Sequence, residues 1–170
     1  MNSLSTLKFD GLTNYLRIPH SASLNVGEDM TLFVVAKGDT LSDWRPIISK
    51  RGEGDIGWQF RKGSNDFATF TIRGTTGNDG QEGGVPVNGN HRVWSMRKSA
   101  LKRSQWVVGN LEFRIDDRGS IPSTTSDLVI AGRDQNGIVA LGGVEIGEIL
   151  WLDHALSDED TLKLQGCLLY

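Results

Sequence analysis

Three arginines carry the chemistry that most needs positioning in this chain. Arg61, Arg73 and Arg97 each fall in a short segment of alternating character: GWQFRK (57–62), FATFTIR (67–73) and HRVWSMRK (91–98). A guanidinium presents planar, paired donors that match the oxygens of a carboxylate or sulfate. Successive side chains of a β-strand point to opposite faces. Trp58, Phe60, Phe70, Ile72, Trp94 and Met96 therefore take one side, and Gln59, Arg61, Thr69, Thr71, Arg73, Ser95 and Arg97 take the other. If the aromatic set fills a core, the second set forms a polar sheet face with three guanidiniums, suited to an acidic polysaccharide. The competing reading is a solvated face whose arginines pair with nearby Asp and Glu.

Two further residues join the candidate ligand-binding set. Trp44, in SDWRP, stands among charged and turn-forming residues, which suits an exposed ring stacked on a sugar. Trp58, Trp94, Trp106 and Trp151 lie inside apolar strand patterns and are expected in the core. Asp79 falls in the stretch 74–90, rich in Gly and Asn, which reads as a long loop able to carry contacts without disturbing packing. The expected set is thus Trp44, Gln59, Arg61, Arg73, Asp79 and Arg97.

Catalytic and metal chemistry find less support. A retaining glycosidase needs two carboxylates roughly 5 Å apart. Glu145 and Glu148 are the nearest pair, and their spacing puts them on opposite faces of a strand unless a bulge at Gly147 resets the register. His20, His91 and His154 sit in separate segments without zinc-ligand spacing, and His91 is the candidate base of a lyase alternative. Asp39, Asp43, Asp66, Asn78, Asp79, Asp134, Gln135 and Asn136 all fall in turns. Hard oxygen ligands from separate loops can build a stabilising calcium site, although turn-formers are drawn from the same residue types. Cys167 is alone, so no intrachain disulfide forms.

The elements that must hold these side chains are short. Strand-like runs at 5–9, 14–19, 30–37, 45–50, 57–62, 67–73, 91–98, 104–108, 111–115, 127–132 and 138–152 alternate with turn clusters. Gly109 and Asn110 between two runs favour a tight antiparallel hairpin. No long helical segments separate the strands, so parallel crossovers have nothing to run through. One helix of about two turns is expected after Ser157, which can cap it, with Asp158, Glu159 and Asp160 at the positive end of its dipole and Gly166 as its stop. These elements predict an all-β, two-sheet antiparallel β-sandwich with one short C-terminal helix.

Composition bounds the function classes. A chain of 170 residues predicts one domain, 1–170, with a core large enough to need no disulfide. Lys+Arg at 18 against Asp+Glu at 21 gives a net charge of −3, which argues against nucleic acid as a partner. The longest apolar run, Leu32 to Ala36, is far short of the ~20 residues that span a bilayer. The N-terminus carries no export signal pattern.

Several segments, in order, resemble the laminin G-like, concanavalin A-like jelly-roll domains. FDGLTNYLRIPHSASLN (9–25) is similar to their opening, and GGVEIGEILWLDHALSDED (142–160) to their last strand and its helix. TIRGTTGND (71–79) resembles a bacterial subgroup attached to polysaccharide-active enzymes. The resemblance implies a curved sheet whose outer face holds a glycan, in an extracellular or cell-surface domain of a larger multidomain protein. The expected function is a noncatalytic carbohydrate-binding module, with a protein-interaction or adhesion domain and a jelly-roll lyase or glycosidase as alternatives, because one fold hosts all three.

Overall fold

The computed structural model describes residues 5–27, 29–38, 44–52, 56–63, 67–74, 77–86, 89–99, 102–107, 110–116, 121–134, 138–140 and 143–168. In chain order the strands are β1 (Leu7–Asp10), β2 (Leu16–Ile18), β3 (Met30–Gly38), β4 (Pro46–Arg51), β5 (Gly57–Lys62), β6 (Phe67–Gly74) and β7 (Gly77–Pro86). They continue as β8 (Arg92–Ser99), β9 (Lys102–Val107), β10 (Asn110–Asp116), β11 (Leu128–Ile130), β12 (Gly132–Asp134), β13 (Ile138–Ala140) and β14 (Gly143–Leu152), before helix α1 (Asp158–Leu168).

β3 shows how alternation builds the layers. Met30, Leu32, Val34 and Ala36 turn into the core between the sheets, while Phe33 and Val35 turn outward and are covered by α1. The first sheet runs β1-β14-β3-β8-β9-β10 and the second β2-β11-β4-β5-β6-β7; β12 and β13 form a separate pair. The pairings are antiparallel throughout. Trp58, Phe60, Phe70 and Ile72 from the second sheet meet Leu32, Val34, Trp94 and Met96 from the first, so the inward set expected from alternation is the core. Trp58 packs edge-on against Trp151 with ring centroids 5.2 Å apart.

The architecture is the expected β-sandwich, but three local readings change. The stretch 74–90 is not one loop: Gly77–Pro86 forms β7, the edge of the second sheet, paired with β6 through its backbone. The run 138–152 divides into β13 and β14. Helix α1 extends to Leu168 and passes through Gly166, where a side chain would meet nothing within 4 Å. It lasts because Leu164 and Leu168 pack on Phe33, Val35 and Val93, and such burial contributes about 1.5–3 kcal/mol per large side chain. At its start Ser157 Oγ accepts from the Asp160 N–H at 3.0 Å and donates to Asp160 Oδ2 at 2.7 Å.

Two polar devices fix the N-terminal segment. Asp10 accepts from the N–H groups of Leu12, Thr13 and Asn14 and from the Thr13 hydroxyl, which close the turn after β1 and hold its carboxyl well below the usual carboxylate range. Lys50 is buried, and its Nζ donates to the carbonyls of Ser126 at 2.8 Å and Thr124 at 3.4 Å, with His20 Nδ1 at 3.3 Å. Burial pushes the Lys50 ammonium down from its ordinary pKa, opposed by the charge of Asp127. Asp127 in turn accepts from the His20 N–H at 2.7 Å and from Arg17 Nε, tying the β2 segment to β11.

Candidate functional site

The outer face of the second sheet is set by register. Ser49 pairs with Gln59 and Gln59 with Thr71, while Val129 of β11 stands on the other side of Ser49. Directly opposed residues share a face. Because Trp58 and Phe60 face the core, this row faces outward. Two residues along the strands, Arg51 opposes Gly57 and Gly57 opposes Arg73; two residues the other way, Arg61 opposes Thr69. A row of small polar residues is thus flanked by Arg61 at one end and by Arg51 and Arg73 at the other. Gly57 leaves the ground between Arg51 and Arg73 without a side chain. Its φ of +126° and a Cβ position 2.1 Å from the Lys50 carbonyl oxygen exclude any other residue there.

The floor of this face is buried. Ser49, Gln59, Thr69 and Thr71 are fully inaccessible and Arg51 nearly so, whereas Arg61 and Arg73 are half-buried. Among the described residues, Ser49 Oγ, Thr69 Oγ1 and Thr71 Oγ1 find no hydrogen-bond partner. Most buried polar groups in proteins are paired, and one left unpaired costs about 1–3 kcal/mol. Gln59 organises the arginines above them. With its amide turned so that the carbonyl faces the guanidiniums, it accepts from Arg51 Nη1 at 2.8 Å and from Arg61 Nη1 and Nε at 3.0 and 3.3 Å.

Trp44 completes the geometry. It is 49% exposed, and its backbone sits at φ +67°, a left-handed conformation uncommon for a bulky residue. The Arg61 guanidinium lies over its ring, 4.5 Å from the centroid. Such a stack sets an apolar platform beside a charged donor group.

Of the six residues expected to bind ligand, the structure brings Trp44, Gln59, Arg61 and Arg73 to this one face. Arg97 is not among them. It lies on β8 in the first sheet, where Nη1 donates to the Leu156 carbonyl at 2.6 Å and Nη2 pairs with Asp158 at the start of α1. Ser95 likewise faces the helix and meets Gln165 Nε2 at 3.1 Å. The three-guanidinium face expected from Arg61, Arg73 and Arg97 is therefore corrected to Arg51, Arg61 and Arg73. Alternation fixes which side of a strand a residue takes, not which sheet the strand joins. Asp79 stands opposite Ile72 in the backbone register, and its side chain lies outside the described residues.

Arg51 and Ser49 escaped the sequence reading because a register shift between Pro46 and Ile48 turns both Ile47 and Ile48 into the core and blurs the alternation of β4. A second shift, between Ile146 and Glu148, places the extra residue at Gly147. Glu145 opposes Lys37 and Glu148 opposes the outward-facing Val35, so both carboxylates share the outer face of the first sheet. Glu145 is held there by Lys8 at 3.7 Å and His91 at 3.6 Å. Among the described residues, no three His, Cys, Asp or Glu side chains converge as metal ligands would. Of the calcium candidates, Asp39, Asp43, Asp66, Gln135 and Asn136 lie outside the described residues, as do the side chains of Asn78 and Asp79; the Trp106 side chain is likewise outside them. Asp134 Oδ2 accepts from the Asp127 N–H at 3.4 Å.

No family model and no curated protein matches the sequence. Solved structures do share its fold. The binding domain of Paraclostridial Mosquitocidal Protein 1 superposes with a TM-score of 0.76 at 8% identity, over 96% of this chain and 43% of that one. The CBM40 of the Ruminococcus gnavus IT-sialidase, bound to alpha2,3 sialyllactose, gives a TM-score of 0.70 at 12% identity over 97% of this chain and 100% of that one. Botulinum neurotoxin type C, whose cell entry depends on interaction with two ganglioside molecules, gives 0.69 at 11% identity over 97% and 42%. The chain spans less than half the length of the toxin chains and the whole length of the CBM40. At these identities the likeness defines a class of fold, the two-sheet antiparallel β-sandwich.

Proposed function

We propose that this chain is a noncatalytic glycan-binding module that holds an anionic glycan on the outer face of its second sheet. The observation that carries this reading is the convergence of Arg51, Arg61 and Arg73 on one sheet face beside the exposed ring of Trp44. A carboxylate or sulfate would meet guanidinium donors, and the sugar ring would lie against the exposed indole. Neighbours of the same fold bound to sialyllactose or dependent on gangliosides support the sialylated class alongside acidic polysaccharides. The sequence motifs at 9–25 and 142–160 support placing the chain with laminin G-like domains. An extracellular or cell-surface location within a larger multidomain protein belongs to the same proposal, supported by toxin chains in which this fold makes up 42–43%.

Affinity electrophoresis in gels containing alginate, carrageenan, a sialylated glycoprotein or a neutral glucan tests the proposal. Retardation in the anionic gels, abolished by Arg61→Ala, is expected; equal mobility in all of them overturns it. Running each gel with calcium and again with chelator tests the proposed structural calcium. A second reading, protein interaction or adhesion, is favoured by the exposed Leu7, Leu12, Tyr15, Leu16 and Ile18 along and between β1 and β2, the outer strands of the two sheets.

A further inference from the structure

A cleft apart from the arginine face opens beside the end of β14. Its walls are Trp151, Leu152, Leu24 and Val26, and its rim carries Ser23 and Asp153, enclosing about 290 Å³. That volume sits near the lower bound of small-ligand sites, usually about 300–1,000 Å³. Ser23 comes from a single turn, Ala22–Leu24, while Trp151 and Asp153 come from β14 and the residue after its end, so two remote segments build the cleft. Asp153 and Ser23 are exposed, and Trp151 is half-buried on the core.

We infer that this cleft is a binding site for a neutral hexopyranose. An indole beside aliphatic walls suits the C–H face of a sugar ring, and a carboxylate and a hydroxyl at the rim suit a pair of ring hydroxyls. His154 Nδ1 lies 3.2 Å from Asp153 Oδ1, and both side chains are exposed, so the carboxylate is within reach of a ligand at the rim. The negative Asp153 opposes an acidic sugar, so this site selects against the ligand class of the arginine face. An organic ammonium is a poorer fit, because the cleft offers it one indole and aliphatic neighbours rather than an aromatic cage.

The site is tested by saturation-transfer NMR and titration with the methyl glycosides of glucose, galactose and mannose, on the wild type, Asp153→Ala and Ser23→Trp. Both variants change exposed positions, and Ser23→Trp fills the cleft from its rim. Saturation transfer to at least one glycoside is expected, with affinity lowered tenfold or more in each variant. Tetramethylammonium should not displace the sugar. Retardation in anionic gels, taken relative to a polymer-free gel, should stay that of the wild type in both variants, which separates this site from the arginine face. No transfer to any glycoside, transfer unchanged in both variants, or displacement by tetramethylammonium overturns the inference.

Discussion

The guanidinium of Arg61 rests 4.5 Å above the ring of Trp44, while its Nε and Nη1 reach the amide carbonyl of Gln59. One side chain thus couples an exposed aromatic to a buried polar floor. Trp44→Ala should weaken retention by anionic polymers roughly two- to fivefold, the ~0.5–1 kcal/mol of an exposed cation–π contact. Gel mobility against polymer concentration measures it, and an unchanged slope would remove Trp44 from the site.

Thr71→Val separates binding from stability. The substitution keeps the shape of the side chain and deletes a buried hydroxyl that has no partner among the described residues. The melting temperature should rise, by the equivalent of about 1 kcal/mol, while anionic-glycan affinity stays unchanged, because the hydroxyl lies out of a surface ligand's reach. A drop in melting temperature would show that the hydroxyl is satisfied in the unliganded protein.

Arg97→Ala should do the reverse. Loss of its bonds to the Leu156 carbonyl and to half-exposed Asp158 should destabilise the fold by about 1–2 kcal/mol in urea titration. Polymer retention should not change, because Arg97 belongs to the opposite sheet.

Gly57→Ala should cost more than ~2 kcal/mol, since the new methyl would collide with the Lys50 carbonyl at a backbone angle suited to glycine. Chemical denaturation reads this directly; a variant as stable as the wild type would mean that β4 and β5 can separate locally without penalty.

Lys50 gives the protein an alkaline stability slope. Its folded pKa is depressed, chiefly by burial, below the 10.5 of the unfolded chain. Between the folded value and 10.5 the native state sheds a proton that the unfolded state still holds, so stability rises with pH across that window. Below the window both states are protonated and this contribution is flat. Lys50→Met should lack the slope in urea titrations at stepped pH, and identical slopes in both proteins would refute the assignment.

Much of the fold could be read from alternation, and the reasons for the misses are physical. Trp58, Phe60, Phe70 and Ile72 announce their inward face because β5 and β6 alternate without interruption. β7 announces nothing, since GNDGQEGGVP pairs with its neighbour through main-chain groups that any sequence possesses. The candidate site was legible where it lies on the regular strands, at Gln59, Arg61 and Arg73, and at Trp44, whose polar surroundings marked it as exposed. It was illegible at Arg51, behind a bulge, and misassigned at Arg97, because sheet membership depends on partners distant in sequence. Gly166 misled through local propensity, which packing of Leu164 and Leu168 overrides.

The order of synthesis has a consequence written into the first sheet. β14 inserts between β1 and β3, although these two are made more than a hundred residues earlier. A nascent polypeptide released only as far as Ala140 leaves both of them with an open backbone edge, a template for intermolecular pairing. Synthesis must therefore pass Leu152 before that layer can close, and a ribosome stalled earlier would deliver a species prone to proteolysis and aggregation.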